Sequence, residues 1–546
     1  MSYGGATEVS ISQPTSPTTP AMAPVPPVRG LAGHFGLLTL AVSVLASLVS
    51  MVNITRVSMW VDEAYTITVA TRSLSDLGRM IANIDIVHSL YNLILHPWFA
   101  LFGISELSVR LPSVVMTGVA TAGVMVLTRR LSTPTAALAA GLVFAVLPRV
   151  SWMGIEGRSY AATAAVAVWL TVLFVSLLRR PTWGKHVGYA VLAAFGCSLN
   201  IFLVLLLGAH GCTLLLERRL RFTRVFWTWL GAAVAGLAGG LPVLLTAISQ
   251  SAQIGESQIR LVGLARNVLV NQWFLGDTPT IYLSGVGSLG EGPGSALWKP
   301  AAVLLAAGCW LIIGWALVRR TPDEPRSTPS YRTLLTCWIV VPTAILVGYS
   351  LVGTPLYNPR YLTYCAPAVA ALLGIGLVKL RLLPGRLGWS AYVAVGLIIL
   401  LAAPIFASQR SVYAKSGADW KPVAQFVAAH PGPNQAAYFA PRLPPTGEVV
   451  TVTSRTAKTL YPQVFDDLRD LTIVSTDAAD ADLLGRSQTL AASADRLAGV
   501  QTVFVINRLD YPADLVAADE AVLTAAGFRA GDRWTGPLNS VVEFSR

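Results

Sequence analysis

The sequence predicts a polytopic α-helical membrane protein with a small α/β domain after its last membrane span. Of its 546 residues, 54% are hydrophobic and only 12% are charged, whereas soluble domains carry roughly 25% charged residues. Apolar segments recur from residue 35 onward, and most are near the ~20 residues that cross a bilayer. After about residue 408, apolar runs alternate with amphipathic ones, which is typical of an α/β domain.

Three regions follow from this pattern. Residues 1–30 are rich in Pro, Ser and Thr and predict a disordered leader, residues 31–408 form the membrane domain, and residues 409–546 form the α/β domain. The first apolar segment is too long for a signal-peptide core, so we expect it to remain as an anchor. About eleven spans are predicted, at 35–54, 107–128, 133–148, 160–178, 187–199, 201–216, 225–248, 300–318, 333–352, 362–379 and 389–407.

Basic residues cluster in alternate loops between these spans. Because positively charged loops stay in the cytoplasm, the N-terminus is expected inside and the C-terminal domain outside the cytoplasmic membrane. This orientation also explains the net charge of +12, so nucleic-acid binding is not expected. All five cysteines lie in apolar segments, which indicates neither a disulfide framework nor a cysteine-rich metal site. The basic residues in these loops, which determine the predicted orientation, are Arg129-Arg130, Arg179-Arg180, Arg218-Arg219, Arg319-Arg320 and Lys379 with Arg381.

Two adjacent carboxylates, Asp62 and Glu63, follow the first span on the predicted outer face. A carboxylate at the membrane boundary stays hydrated enough to ionise and can act as a general base on a membrane-bound donor. The alternative is a helix cap, with Trp60 and Tyr65 as interfacial anchors. The segment TRSLSDLGRMIANID at residues 71–85 predicts an amphipathic helix on the membrane, and residues 88–99 predict a second interfacial helix.

Further polar groups lie in the outer loops beside later spans. Arg110 precedes the second span, where a snorkelling arginine is the alternative to a functional one. The loop near 149–159 carries polar residues that could also form a local ion pair, and a late loop pairs an arginine with an aromatic residue, which is common in interfacial belts. These residues are Glu156, Arg158 and Tyr160 in the first loop and Arg360 and Tyr361 in the second.

The order of these motifs resembles the bacterial branch of the GT-C membrane glycosyltransferases, which includes protein O-mannosyltransferases and lipid A aminoarabinose transferases. The resemblance covers about residues 35–380 and rests on WVDEAYT, DIVHSLYNLILHPWFALFG, SELSVRLPS, LPRVSWMGIEGRSYA and NPRYL. It implies transfer of a sugar from a polyprenyl-phosphate carrier to an acceptor on the outer face. The acceptor class is a glycan, a glycolipid or a protein of the cell envelope.

The resemblance also assigns roles to individual residues. Asp62 matches the catalytic base and Glu63 its helper, while Arg110 matches an arginine that approaches the donor phosphate. The E-x-R-x-Y element and the late R-Y motif are implied to line the cavity or contact the carrier. Relatives often have His-Pro-Pro where this chain has His88-Ser89-Leu90, so an acceptor contact by His88 is open. The matching residues of the two elements are Glu156, Arg158, Tyr160, Arg360 and Tyr361.

The chemistry is coherent on physical grounds. Polyprenyl phosphate is a good leaving group, so transfer needs a base for the acceptor hydroxyl and cations for the departing phosphate. Adjacent Asp62 and Glu63 cannot straddle a sugar, which favours inversion over a retaining reaction. No Asp-x-Asp motif follows the first span and the six histidines show no metal spacing, so no cofactor or obligatory metal is expected. Mg²⁺ held by one carboxylate and phosphate stays an alternative.

Several alternatives remain open. A lipid-linked sugar flippase would place ionisable groups near the membrane midplane, whereas here they gather on one face. An inactive scaffold is a second alternative. The Ala, Gly, Val and Pro usage suits a GC-rich actinobacterium, whose envelope pathways use polyprenyl-phosphate mannose and arabinose. Mannose is the expected sugar because it is the commoner donor in the branch that the chain resembles, and arabinofuranose is the alternative. The loop 250–298 is expected to be either a lid or a packed amphipathic helix.

The orientation gives a first testable prediction. An odd number of spans before residue 408 places the C-terminal domain outside, so a reporter that is active only in the cytoplasm should be silent when fused after Arg546. The same reporter fused in the basic loop after Arg219 should be active and serves as the control. Activity of the fusion after Arg546 would reverse the orientation and the face on which we expect catalysis.

Overall fold

The computed structural model describes residues 33–546 except 251–260, 278–279, 284–286, 292–294, 322–326, 441–451, 477–478 and 480–484. The predicted leader at 1–30 therefore lies outside the described residues, as does residue segment 251–260 of the predicted lid.

Each predicted span coincides with one helix. Seven described helical segments are long and apolar enough to cross a membrane, and four shorter apolar helices accompany them. The fold is thus the predicted polytopic helical membrane protein, while the count of eleven crossings stays a prediction. The helices at the predicted spans are α1 (Phe35–Met51), α5 (Glu106–Leu131), α6 (Pro134–Val146), α8 (Tyr160–Arg179), α9 (Trp183–Leu199), α10 (Val204–Leu216), α11 (Arg224–Ser249), α14 (Ser295–Val318), α15 (Tyr331–Val352), α16 (Ala366–Arg381) and α17 (Ser390–Gln409).

Small residues let these helices approach closely. A Cβ atom placed on Gly374 of α16 would lie 2.5 Å from the backbone nitrogen of Ala140 in α6. Gly236 of α11 is equally tight, since a Cβ there would lie 2.8 Å from the carbonyl oxygen of Ala190 in α9. Because lipid offers no hydrophobic driving force between helices, such close backbone packing is a main source of stability in a membrane bundle.

The segments between the spans form short helices next to the bundle. The predicted amphipathic segment at residues 71–85 contains one helix, which buries Leu77 and Met80 on one face. The segment predicted as a second interfacial helix is also helical and buries Tyr91, Leu95 and Phe99. These helices are α2 (Val61–Ala70), α3 (Leu74–Asn83), α4 (Ser89–Phe102) and α7 (Pro148–Met153).

The described part of the loop before α14 contains two short helices and a hairpin. The helices α12 (Leu261–Arg266) and α13 (Gln272–Phe274) are joined by a π-helical turn at Asn267–Asn271, and the hairpin pairs β1 (Thr280–Leu283) with β2 (Gly287–Glu291). Gln272 is buried and donates to the Thr343 hydroxyl at 2.9 Å. This end of the loop is therefore packed into the bundle.

The C-terminal region is the small α/β domain that the sequence predicts. Its five-stranded sheet has the order β4-β3-β7-β9-β8, in which β3 pairs in parallel with β4 and β7, and β9 runs antiparallel to its neighbours. The strands are β3 (Gln435–Ala440), β4 (Arg469–Asp470), β5 (Ile473–Ser475), β6 (Arg486–Ser487), β7 (Thr502–Arg508), β8 (Arg529–Thr535) and β9 (Asn539–Ser545). The helices are α18 (Trp420–Ala429), α19 (Thr456–Leu460), α20 (Pro462–Phe465) and α21 (Ala513–Ala525).

Two details of this domain differ from the sequence-based expectation. The apolar run in LTIVST, residues 471–476, favours a buried strand, but β5 is half-exposed and pairs with β6 instead of joining the main sheet. The edge strand β8 was not predicted, because its sequence RAGDRWT is polar and mostly exposed. Edge strands bury little, so apolar alternation is a weak signal for them.

The domain docks on the stretch that links the first membrane helix to α2. The backbone N–H of Met59 donates to the Tyr461 hydroxyl at 3.3 Å, and that of Ser58 donates to the Val412 carbonyl at 3.0 Å. Trp420 and Phe465 share an apolar cluster with side chains of α4. The stretch that precedes Asp62 is therefore held from the C-terminal side of the chain.

Candidate active site

The Trp60–Tyr65 stretch begins helix α2. Trp60 is extended and its N–H donates to the Glu63 carboxylate at 3.2 Å, so Glu63 caps the free backbone donor three residues before it. Asp62 lies in the same first turn, where the positive end of the helix dipole favours acidic side chains. Successive helical residues are about 100° apart, so the two carboxylates point into different surroundings.

Glu63 points inward and is fully buried. It accepts hydrogen bonds from Arg110 Nε at 2.8 Å and Nη2 at 2.9 Å, from the Gly157 N–H at 3.2 Å, and it pairs with Lys415 Nζ at 2.9 Å. Burial would raise the pKa of Glu63, but the charges of Arg110 and Lys415 outweigh burial and hold this pKa below its usual value. Glu63 is therefore a buried, ionised anchor.

All five guanidinium N–H groups of Arg110 donate hydrogen bonds to other groups of the protein. Besides its two bonds to Glu63, it donates to the carbonyl oxygens of Ile54, Val57 and Ser58. Its side chain is fully buried. In this structure every donor of the guanidinium has a protein partner, which favours a structural role for Arg110, and its approach to the donor phosphate stays a prediction.

Asp62 points to a different environment and keeps about 24% of its side chain exposed. Arg360 Nη1 lies 3.0 Å from one carboxylate oxygen and Arg158 Nη2 lies 3.7 Å from the other. Burial opposes ionisation, yet the positive charges of Arg158 and Arg360 prevail and lower the pKa of Asp62 below its usual value. Asp62 is thus an accessible carboxylate that stays ionised at neutral pH.

Arg158 carries donors with no partner. Its Nε and Nη1 atoms are buried and make no hydrogen bond to any residue that the structure describes. Buried donors in native proteins are nearly always paired, and an unpaired one requires an explanation such as a bound anion. The guanidinium therefore retains capacity for a phosphate while it contacts Asp62.

Arg360 is fixed in place by its own loop. Asn358 caps the 3-10 turn Pro359–Cys365 by accepting from the Arg360 N–H at 3.2 Å. The guanidinium lies 5.4 Å from the centre of the Trp60 ring, a cation–π distance. Tyr361, the next residue, stacks on Phe202 at 5.1 Å. The R-Y motif thus places the arginine at Asp62 and the tyrosine against the bundle.

Lys415 is a residue of this site that the sequence motifs did not single out. It follows the last span, and its ammonium is buried between Glu63 at 2.9 Å and Glu156 at 3.0 Å while it donates to the Ile155 carbonyl. The isolated lysine in SVYAKSG was the available signal, but nothing local indicates two carboxylates as partners.

Glu156 fixes Trp60 and belongs to the same charge cluster. It accepts from the indole N–H of Trp60 at 3.1 Å. Burial raises the pKa of Glu156 to about 8 against the attraction of Lys415. We call Arg110, Glu63, Lys415 and Glu156 the buried charge cluster.

Two further predicted residues lie nearby. The His88 imidazole pairs with the Asp85 carboxylate at 2.6 Å. Tyr160 is buried, with its ring 5.1 Å from that of Trp152. Neither contact assigns a role in binding an acceptor, so both roles stay predictions.

One group of potential metal ligands occurs among the described residues, and it lies in the C-terminal domain. His430, Asp532 and Glu543 bring their ligand atoms within 4.8 Å of one another. His430 already pairs with Asp532 at 3.2 Å, and its Nδ1 bonds the Phe426 carbonyl. Whether transfer at Asp62 needs a metal stays a prediction from the sequence.

The buried charge cluster generates a prediction of stability. Lys415→Met removes the ammonium that bonds both Glu63 and Glu156 and should lower the free energy of unfolding by about 1–3 kcal/mol, because buried carboxyl oxygens lose their hydrogen-bond partner. Adding Glu156→Gln should recover part of this loss, since Arg110 still pairs with Glu63. Chemical denaturation of the solubilised protein measures both effects.

Lys421→Met is the matched control for that series. Lys421 lies in the same part of the chain and pairs with Glu106, but a quarter of its side chain is exposed. Its loss should cost less than about 1 kcal/mol. A double variant that is no more stable than Lys415→Met alone would contradict the proposed charge balance.

Comparison with known proteins adds one family match. Residues 89–245 match the model of the family described as dolichyl-phosphate-mannose-protein mannosyltransferase. This region includes Arg110 and the Glu156-Arg158-Tyr160 element but ends before Arg360. No curated protein matches the chain.

Three solved structures are reported as similar in shape. ArnT from Cupriavidus metallidurans has 13% identity and a TM-score of 0.49, covering 94% of this chain and 98% of that chain. The Archaeoglobus fulgidus oligosaccharyltransferase has 11% identity and a TM-score of 0.45, with coverages of 87% and 70%. The arabinofuranosyltransferase AftD from Mycobacteria has 16% identity and a TM-score of 0.44, with coverages of 95% and 41%.

All three TM-scores are below 0.5, so these similarities support no conclusion about the site. The family match covers the motifs SELSVRLPS and LPRVSWMGIEGRSYA but neither WVDEAYT nor NPRYL. Over residues 89–245 it agrees with the resemblance to protein O-mannosyltransferases that the sequence motifs indicate.

Proposed function

We propose that the protein is an inverting glycosyltransferase that moves a sugar from a polyprenyl-phosphate carrier to a cell-envelope acceptor on the extracytoplasmic face. One observation carries this proposal. An accessible, ionised Asp62 lies between Arg158 and Arg360, and Arg158 has buried donors without a partner among the described residues. A base and two cations at one point are what transfer from a phosphate carrier requires.

The roles follow from the contacts. Asp62 accepts the proton of the acceptor hydroxyl as that oxygen attacks the anomeric carbon from the face opposite the carrier. The carbon–oxygen bond to the phosphate breaks at the same time, and the carrier phosphate leaves with the bonding electrons. Arg158 and Arg360 stabilise the charge that develops on it. A single attacking face gives inversion at the anomeric carbon.

The surrounding residues have supporting roles in this proposal. Glu63 and Arg110 hold the turn instead of touching the substrates, because both are fully buried and mutually paired. Tyr361 anchors the Arg360 loop through Phe202. Glu156 fixes Trp60, over which Arg360 lies. His88 and Tyr160 are the candidates for the wall of the sugar or acceptor cavity.

Mannose is the sugar that we propose. The matching family model is described by dolichyl-phosphate-mannose, and it covers residues 89–245. Incubating the purified protein with labelled polyprenyl-phosphate mannose and, separately, polyprenyl-phosphate arabinofuranose tests this choice. Transfer from the mannose donor alone supports it, and transfer from the arabinofuranose donor alone replaces it. Translocation of a lipid-linked sugar without transfer would identify a flippase and overturn the proposal.

The base assignment predicts the behaviour of two neighbouring variants. Asp62→Asn keeps the volume and hydrogen-bonding reach of the side chain but removes the charge, so turnover should fall by about 10²–10⁴ with donor binding unchanged. Glu63→Gln should instead lower stability, because it leaves Arg110 and Lys415 without their shared carboxylate.

Turnover per folded molecule and donor affinity, measured on the same membrane preparation, separate the two effects. Near-normal turnover of Asp62→Asn would mean that the two carboxylates, Asp62 and Glu63, only cap helix α2. A loss of turnover in well-folded Glu63→Gln, with Asp62→Asn active, would move the base by one residue.

The arginines predict a second pair of results. Arg158→Ala and Arg360→Ala should each weaken donor binding by about 10–100-fold, since each removes a charge-assisted contact to phosphate. Arg56→Ala is the control, because Arg56 is exposed and the salt-bridge partners of Asp62 among the described residues are Arg158 and Arg360. Normal donor affinity of both test variants would return these arginines to an interfacial role.

The pH dependence of turnover tests the same geometry. Asp62 must be ionised to accept a proton, and its lowered pKa should keep the acid limb of the rate profile below about pH 4, the usual range of aspartate. Arg360→Ala removes a positive charge 3.0 Å away, so the pKa should rise and the limb should move to higher pH. An unchanged limb in this variant would contradict Asp62 as the titrating base.

A further inference from the structure

A cavity lies between helix α2 and the C-terminal domain, and Asp62 is not one of its lining residues. It has a volume of about 600 Å³ and separates helices α2 and α3 from the C-terminal domain. On one side it is lined by residues of α2 and the turn that follows, and on the other by α19 and its neighbours. Its size falls within the roughly 300–1,000 Å³ of small-molecule sites.

Helix α2 separates this cavity from the candidate active site. The cavity contacts α2 and its C-cap at Ala64, Tyr65, Ile67, Thr68 and Thr71, and all of these except Tyr65 recur every three or four residues on one face. Asp62 precedes Thr71 by nine residues, or about two and a half turns at ~3.6 residues per turn. Asp62 therefore points to the opposite side of a helix that is roughly 10 Å wide.

The lining is rich in hydroxyl groups. Such groups donate and accept hydrogen bonds without carrying charge, which suits a ligand with many hydroxyls of its own. They come from both walls of the cavity, so a ligand between the walls can bond to both. The hydroxyl-bearing residues include Thr68, Thr71, Ser73, Thr453, Thr456 and Thr459.

The charges in the lining balance. Three residues are basic, Arg72, Arg455 and Lys458, and three are acidic. Asp470 pairs with Arg455, and Asp76 pairs with Arg79. A cavity for a phosphate or another anion would carry a net positive charge. Balanced charges instead favour a neutral polar ligand, which carboxylates and guanidinium groups can bind through its hydroxyls.

We propose that this cavity binds a neutral oligosaccharide, a distal segment of the acceptor whose end is glycosylated at Asp62. The proposal rests on the proposed transferase function and names its acceptor class. Because the two sites lie on opposite faces of α2, one sugar unit cannot occupy both. An acceptor chain of several units, bound at this cavity, brings its growing end around α2 with a fixed direction and raises its local concentration at the base.

Binding of two neutral trisaccharides tests this proposal without the donor. The probes are α-linked mannotriose and an arabinofuranose trisaccharide, titrated into the full-length protein in lipid nanodiscs and followed by saturation-transfer NMR. At least one should bind the unmodified protein. Thr456→Val with Thr459→Val keeps the shape of α19 but removes two hydroxyls, so it should weaken binding by about tenfold or more.

Two control variants define the outcome. Thr524→Val removes an exposed hydroxyl from α21 in the same domain, and Asp62→Asn alters the transfer site. Both should bind the trisaccharide as the unmodified protein does. The thermal midpoint of the double variant reports whether α19 stays folded. If it falls, Lys458→Gln on the same wall replaces that variant, with the same weakening expected.

Three results would overturn the proposal. Neither trisaccharide binds, the double variant binds as well as the Thr524→Val control, or inorganic phosphate displaces the sugar and so identifies an anion site. Failure of the transferase function itself would appear separately, as no turnover of a labelled polyprenyl-phosphate donor. That assay does not depend on trisaccharide binding, so the two failures can be told apart.

Discussion

The buried charge cluster of Arg110, Glu63, Lys415 and Glu156 is the constraint on which the outer half of the protein depends. It joins two basic and two acidic side chains that are almost completely buried. These four residues come from distant parts of the chain. Removing such charges from water costs several kcal/mol per ion unless each is paired and hydrogen-bonded. Arg110 meets this condition with five bonds. The cluster thereby fixes the start of α2 relative to the bundle and the C-terminal domain.

This constraint separates the two adjacent carboxylates into different tasks. Glu63 is held inward by Arg110 and Lys415, which leaves Asp62 facing outward at the end of the same helix. Trp60 connects the two environments, because it bonds Glu156 on one side and lies beneath Arg360 on the other. The position of Arg360 at Asp62 thus depends indirectly on the buried charges. A rigid supporting shell of this kind is what precise transfer chemistry requires.

The C-terminal domain takes part in the same arrangement. Val412 and Tyr461 hold the backbone just before Asp62, and Lys415 enters the buried charge cluster from the segment that leads into the domain. The domain also supplies one wall of the cavity behind α2. A domain that both braces the catalytic turn and contacts the acceptor would couple acceptor recognition to the geometry of transfer. The connection runs through residues already packed together, so it needs no large movement.

The sequence by itself determined the class of fold, the positions of the apolar helices and the α/β character of the C-terminal region, because hydrophobic periodicity and span length are local properties. It also singled out Asp62, Arg158 and Arg360 through ordered motifs. Only the tertiary structure decided that Arg110 spends every donor on Glu63 and backbone carbonyls, that Lys415 joins Glu63 to Glu156, and that β8 completes the sheet. These features depend on contacts between residues tens to hundreds of positions apart. Local pattern cannot report which distant partner satisfies a buried charge.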